Sequence, residues 1–268
     1  MLAEKRRATI LDIVARKGSV SVTELHRRLK VSRETVRRDI SLLDGADQLR
    51  KTHGGALSMD LEEPAFAERM SVNIEGKKAI GKLAATLVAD GASLIIDSGT
   101  TTLCLAEALK NRRELTVYTN DIHVAGRLSG LNDNRIYLLG GELQGAEGAI
   151  MGRDATAMLD NYFADFAFVG ASALSAHPWL MDFSREAAEL RARMLTQART
   201  PVLLADHTKF GRVAPVRVKN LEKVAHLITD RPPQRTMVKS LAGLEAELMI
   251  AAPNKPRDKS RDKRKAKG

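Results

Sequence analysis

Val31-Ser32-Arg33-Glu34-Thr35-Val36-Arg37-Arg38-Asp39-Ile40 is the stretch on which the fold of this chain turns. Ser32 is a good helix cap, and Val36, Ile40 and Leu43 follow it at three- and four-residue spacing, which predicts a helix with one apolar face. Arg33, Glu34, Thr35, Arg37 and Arg38 crowd the outer face of its first two turns. A short, polar, doubly basic helix start of this kind can enter a DNA major groove. Its arginines reach guanine edges or phosphates there, and its threonine reaches a base edge or a thymine methyl. The same face standing in solvent is the alternative, and the stretch alone fits both equally.

The flanks favour the groove. Residues 6–17 carry Ile10, Ile13 and Val14 on one face and stop at Gly18. Ser21 with Glu24 three residues on is a capping-box pattern, opening a second helix with Val22, Leu25 and Leu29 inward. Lys30-Val31 makes the turn, so helix, tight turn and helix follow one another as in a helix-turn-helix. Next, Gln48-Leu49-Arg50-Lys51-Thr52-His53-Gly54-Gly55-Ala56 is a short extended piece with a glycine bend, which fits the wing of a winged variant. Arg50, Lys51 and His53 would lie along the DNA backbone and add salt-dependent, sequence-blind affinity. The expected DNA-binding set is therefore Ser32, Arg33, Glu34, Thr35, Arg37, Arg38, Arg50, Lys51 and His53.

Charge is distributed to match. The net charge of +10 over 268 residues is concentrated at the ends. Residues 1–56 hold 13 Lys/Arg against 7 Asp/Glu, residues 253–268 hold 8 against 2, and the long middle holds 22 against 24. Two basic ends on a near-neutral body suit a polyanion, most simply nucleic acid, and with the helix-turn-helix pattern the expected partner is double-stranded DNA. The single cysteine, Cys104, rules out an internal disulfide and a cysteine-rich metal site, and it fits a reducing compartment. No run approaches the roughly 20 apolar residues of a membrane span, and the N-terminus leads into an amphipathic helix where a signal peptide would carry an apolar core. The expectation is a soluble, cytoplasmic protein with no membrane partner.

Four segments follow: a DNA-binding domain over 1–57, a connector over 58–73 without periodicity at its start, an α/β domain over 74–251, and a basic tail over 252–268 whose composition predicts disorder. In the third, strand-like runs at 93–96, 115–119, 135–139, 166–169, 202–205 and 225–229 alternate with helical patterns at 77–89, 102–110, 123–128, 155–162 and 185–199. That order predicts a largely parallel sheet, and such sheets bind small ligands beyond the C-terminal ends of their strands.

One strand end stands out. After Leu94-Ile95-Ile96 come Asp97-Ser98-Gly99-Thr100-Thr101-Thr102 and a helix start. Backbone N–H groups and four hydroxyls there can cradle a phosphate, though the loop equally fits a cap-rich turn. It is neither a Walker loop nor a dinucleotide fingerprint, since no lysine follows the glycine and the glycine spacing is absent. Other polar strand ends are Thr119-Asn120-Asp121, Gly140-Gly141-Glu142, Gly170-Ala171-Ser172 and Asp206-His207-Thr208-Lys209. Lys209 can neutralise an anion and Asp206 can take a sugar hydroxyl. The candidate ligand set is Asp97, Ser98, Gly99, Thr100, Thr101, Thr102, Asn120, Gly141, Asp206 and Lys209. No nucleophile with a base, no nucleophile elbow and no paired His/Cys set is present, so neither a catalytic residue nor a metal or other cofactor is expected. Trp179, the sole tryptophan, reads either as a lid over the pocket or as plain packing.

With both halves in view, the chain resembles the DeoR-type family of bacterial transcription regulators. The resemblance is carried by Val22-Thr23-Glu24-Leu25, Val31-Ser32, Thr35-Val36-Arg37-Arg38-Asp39-Ile40, His53-Gly54-Gly55-Ala56, Asp97-Ser98-Gly99-Thr100-Thr101, Asp165-Phe166-Ala167-Phe168-Val169-Gly170, Asp206-His207-Thr208-Lys209-Phe210-Gly211 and Ile228-Thr229-Asp230. It implies a winged helix-turn-helix repressor of sugar or polyol catabolism, a dimer or tetramer, acting at an operator on the bacterial nucleoid. Its C-terminal domain would be a ribose-phosphate-isomerase-like α/β sensor for a phosphorylated sugar or polyol effector, with Asp97-Ser98-Gly99-Thr100-Thr101-Thr102 as phosphate loop. The stretches around Asp206 and Asp230 lean toward the glycerol-3-phosphate repressor branch. The related isomerases carry Asp-Gly-Ala-Asp where this chain has Val169-Gly170-Ala171-Ser172. Both catalytic carboxylates are thus missing, which weighs against turnover; an isomerase-like enzyme with a DNA-binding appendage stays as the alternative.

Overall fold

The computed structural model describes residues 2–52, 54–58, 63–175 and 180–251. His53, Trp179 and the tail 252–268 lie outside the described residues, as does part of the connector. The N-terminal domain runs α1 (Ala3–Lys17), β1 (Ser19–Ser21), α2 (Val22–Leu29), α3 (Arg33–Asp44), β2 (Arg50–Lys51) and β3 (Gly55–Leu57). Gly18 ends α1 at φ 71°, and Lys30 turns the chain between α2 and α3 at φ 53°. The three strands form an antiparallel sheet in the order β1-β3-β2. Ile10, Val14, Leu25, Val36, Ile40 and Leu49 close the core beneath it. Gly55 has to be glycine: a Cβ there would stand 2.1 Å from the Val20 carbonyl oxygen across the β1–β3 pair.

The connector does not stay irregular. Residues Phe66–Ser71 form α4, and Phe66 and Met70 pack on the core of the following domain. There the elements are α5 (Ile74–Thr86), β4 (Ser93–Ile96), α6 (Thr100–Ala108), β5 (Thr116–Thr119), α7 (Ile122–Leu128), β6 (Arg135–Leu138), β7 (Glu142–Gln144), β8 (Ala149–Met151), α8 (Arg153–Leu159), β9 (Ala164–Gly170), β10 (Ala173–Leu174), β11 (Leu180–Asp182), α9 (Arg185–Met194), β12 (Ala198–Leu204), β13 (Val216–Arg217), β14 (His226–Thr229), α10 (Arg235–Leu241) and β15 (Glu247–Ile250). Seven strands make one parallel sheet in the order β15-β14-β12-β9-β4-β5-β6. Alternate residues feed two cores. Leu94, Ile96, Val117 and Phe168 face α5, α6 and α7, while Ile95, Ala167, Val169 and Leu203 face α8 and α9.

Two sequence expectations shift. The helical pattern over 185–199 stops at Met194, and strand β12 begins at Ala198, paired with β9 through Pro201. Pro201 and the β-branched residues around it favour extended backbone over another helical turn. Strand β15 was not anticipated: Leu248-Met249-Ile250 is an apolar run too short to tell a strand from a helix turn, and no alternation marks it.

The sheet order fixes where a ligand can sit. From β4 the chain proceeds to β5 and β6 on one side, whereas β9 returns to lie on the other. Loops leaving β4 and β9 therefore diverge and open a crevice between them, which is the switch point of an open α/β sheet.

Candidate functional site

On the DNA-binding domain, Ser32 caps α3 by accepting the Thr35 N–H at 3.0 Å, and its hydroxyl also meets Thr35 Oγ1 at 2.8 Å. Arg33, Glu34, Arg37 and Arg38 are exposed on the face beyond. Arg37 lies 3.7 Å from Glu34, a surface pair too weak to withhold it from DNA. Asp39 in the same stretch turns inward: it is 3 % exposed and takes a bidentate ion pair from Arg6, tying α1 to α3. Arg50 and Lys51 are exposed on the wing, where the Lys51 ammonium reaches Ser41 Oγ of α3 at 2.8 Å and the Lys51 backbone N–H donates to the Asp44 carboxylate at 2.7 Å. The wing is thus clamped to α3, with both presented together.

In the α/β domain, Gly99 (φ 142°) opens α6 directly after β4. Its first-turn N–H groups lack intrahelical partners. Ser98, Gly99, Thr100, Thr101 and Thr102 line one small cavity with Lys209, Gly170, Ala171 and Ser172. Six of the predicted ligand residues therefore come together. Thr102 Oγ1 is used internally, donating to the Gly99 carbonyl at 2.9 Å. Lys209 is buried, and burial pushes its pKa down to about 8, against the pull of neighbouring Asp206.

The other four stand behind the cavity as supports. Asp97 is buried, accepting the Ser98 and Gly170 N–H groups at 2.8 and 3.0 Å and the Arg191 Nε at 2.7 Å. Asn120 donates to Ser98 Oγ at 3.3 Å and to the Ile150 carbonyl at 3.1 Å, which steadies the loop from below. Gly141 (φ 134°) lets the chain turn into β7 against Ile150 and Met151. Asp206 belongs to a network with Asn73, His207 and Asp230. Asn73 Nδ2 donates to Asp206 at 3.3 Å and to Asp230 at 3.1 Å, and His207 Nδ1 lies 2.7 Å from Asp230. Asp206, His207 and Asp230 are the described residues whose ligand atoms, all within 4.8 Å, are close enough to share a metal ion. Asn73 and the His207–Asp230 contact already bridge them.

Three residues central to the crevice were missed in the sequence. Arg191 of α9, buried with Asp97 and Asp182 as ion partners, also donates to Ser172 Oγ at 3.2 Å. Its signal was an arginine in register with the apolar positions Ala187 and Met194. Arg69 and Glu63 come from the connector, and both line the cavity. Burial draws the Arg69 pKa down, with the Glu63 carboxylate opposing. Three cations, Arg69, Arg191 and Lys209, thus border a loop of hydroxyls and helix N–H groups, with Arg69 paired to Glu63 and Glu147 and Arg191 to Asp97 and Asp182.

A helix-turn-helix with a basic wing clamped to its second helix, joined to a parallel sheet with a polar crevice at its switch point, is the architecture of a DNA-binding regulator with a sensor domain. The family matches agree: a DeoR-like helix-turn-helix domain fits residues 6–62, a DeoR C terminal sensor domain fits residues 72–231, and the chain belongs to the DeoR family of transcription regulators. The glycerol-3-phosphate regulon repressor of Escherichia coli is 31 % identical over 93 % of this chain and all of that one. The HTH-type transcriptional repressor GlcR of Bacillus subtilis is also 31 % identical, over 96 % of this chain and all of its own. The repressor CsqR of Escherichia coli matches at 31 % over 91 % of this chain and 94 % of its own. Among solved structures, the ribose 5-phosphate isomerase A of Methanocaldococcus jannaschii overlaps 50 % of this chain and 53 % of its own at 18 % identity, with a TM-score of 0.37.

Proposed function

We propose that this regulator represses a carbohydrate or polyol catabolic operon and releases it when a phosphorylated sugar or polyol binds the switch-point crevice. The observation that carries the effector class is the convergence of Ser98, Gly99, Thr100 and Thr101 with Lys209, Arg69 and Arg191 at the N-terminus of α6. A phosphoryl group can accept from the helix N–H groups and pair with Lys209 and Arg69, while Arg191 stays braced by Asp97 and Asp182. Glycerol 3-phosphate heads the panel, because one relative bears that compound in its name. Relatives with different names share the same identity, so other sugar phosphates stand beside it.

The groove-facing residues are Arg33, Glu34, Thr35, Arg37 and Arg38, with Arg50 and Lys51 on the backbone. The protein works as a homo-oligomer reading paired half-sites in the cytoplasm, and it turns nothing over, since the β9 strand end presents Gly170-Ala171-Ser172 where an isomerase would carry its carboxylates. No helix among the described residues is long and apolar enough to cross a membrane.

The test is selection of bound fragments from sheared genomic DNA, followed by release with each member of a sugar- and polyol-phosphate panel. One phosphorylated compound should release a specific fragment, while its unphosphorylated form does not. Binding that no phosphorylated compound alters, or aldose–ketose turnover of a pentose phosphate, would overturn the proposal.

A further inference from the structure

The anion-suited crevice is closed, and part of the connector closes it. Glu63 Oε1 lies 3.2 Å from Arg69 Nη1 and accepts the Ser172 hydroxyl at 3.2 Å. Its charge also acts on Lys209 and Arg191. The voids on the two sides of the Glu63 and Arg69 side chains measure about 20 and 70 Å³. Pockets that enclose a small ligand run to about 300–1,000 Å³, so a sugar phosphate needs these side chains to move.

The segment is held from the other side as well. Glu147, between β7 and β8, pairs with Arg69 and accepts the Phe66 N–H at 3.2 Å. Residues 63–69 are therefore a strap, laid across the mouth between that hairpin and Ser172. Its upstream end is anchored nearby: Leu57, the last residue of β3, is buried against Ala173, Met181, Val213 and Ala214. Ala173 directly follows the Ser172 that holds Glu63.

We propose that Glu63 is a built-in competitor for the effector, its carboxylate standing in the crevice where the effector phosphate binds. This rests on the phosphate reading of the crevice and assigns Glu63 and Arg69 to it. A phosphate entering between Ser98–Thr101, Lys209 and Arg69 repels Glu63 and takes over its partners Arg69 and Ser172. Glu63 then leaves its place beside Ser172, and residues 63–65 move with it. Expulsion of one carboxylate is thereby converted into a change in how the wing end at Leu57 is held. The competitor is tethered, so it opposes the ligand at a fixed effective concentration, and its grip sets the effector level at which the operator is released.

The test uses the full chain, with glycerol 3-phosphate and inorganic phosphate as probes in calorimetric titrations of the wild type, Glu63→Gln and Glu63→Ala. Glutamine keeps the size and hydrogen bonding and removes only the charge. If the carboxylate occupies the site nine-tenths of the time, its removal tightens phosphate binding about tenfold. Both variants should show this gain, and both should hold a DNA target of the wild type less tightly without effector. Equal phosphate affinities in all three proteins would overturn the competitor role and leave the crevice assignment standing. Absence of phosphate binding in all three would overturn the crevice assignment and the competitor with it.

Discussion

Lys209 is the residue at which the proposed effector site can be tested by pH. With its pKa pushed down to about 8 by burial, the ammonium is already losing its proton under mildly alkaline conditions. A phosphate dianion bound beside it favours the charged form and raises that pKa. Above pH about 8, binding must therefore take up a proton, and affinity should fall by at most about tenfold per pH unit. Below about 6 the phosphate itself loses its second charge, so affinity should fall there too. Effector titrations between pH 7 and 9, in buffers of different ionisation enthalpy, would show the weakening and the proton uptake. Unchanged affinity across that range would remove Lys209 from the anion site. Arg37 makes the parallel case on the DNA side. It is exposed, and its pairing with Glu34 is loose, so Arg37→Ala should leave the fold intact while weakening operator discrimination by about 1–3 kcal/mol. Gel shifts on operator and on a mutated site would read the difference, and equal loss on both would make Arg37 a backbone contact.

Elements of the DNA-binding domain were legible in the sequence because their signals are local. Ser21 and Ser32 cap the helices they announce, accepting the Glu24 and Thr35 N–H groups, and Gly18 stops α1. One detail differs: the Glu24 carboxylate, expected to complete a capping box, turns to Lys17 and Arg28. The parallel strands were legible as short apolar runs, and the loop after β4 as a cluster of hydroxyls. What escaped was non-local. Nothing around Glu63 or Arg69 announces a partner more than 70 residues away at Glu147 or more than 100 away at Ser172. Asp97 and Asn120 looked like ligands because a polar residue at a strand end looks the same whether it faces a pocket or braces the loop that does. The wing shows how tightly the local geometry is specified. Gly55→Ala sets a Cβ against the Val20 carbonyl, and the β1–β3 pair must part to admit it. Overpacking of this kind costs about 1–3 kcal/mol. The expected outcome is earlier urea unfolding of the DNA-binding domain and weakened operator binding, with effector binding by the other domain retained. A variant with wild-type stability would mean that the strand pair yields easily at this point.

At the scale of the whole molecule, α3 and the crevice communicate only if a ligand favours one arrangement of the two domains over the other. The domains touch where such a preference can act. Leu57 seats the wing strand on β10 and β11, and Ser21, Thr23, Glu24 and Arg27 face His207, Phe210 and residues 231–234 across a cleft of about 440 Å³. The crevice side of this junction carries Ser172, Asp182 and Lys209, so a ligand there works on the residues adjoining the domain contact. Binding and response should then separate by mutation. Thr100→Ala with Thr101→Ala removes two hydroxyls from the cradle while leaving α3, the wing and the domain contact untouched. Operator affinity without effector should stay at the wild-type level. A true effector at a hundred times its Kd stabilises the wild type by about 2.7 kcal/mol, and the double variant should lose most of that stabilisation together with operator release. Retained release would move the phosphate away from α6. Loss of operator binding in the double variant without effector would instead show that the cradle is part of the DNA-competent arrangement, with the hydroxyls needed to hold the loop as well as the ligand.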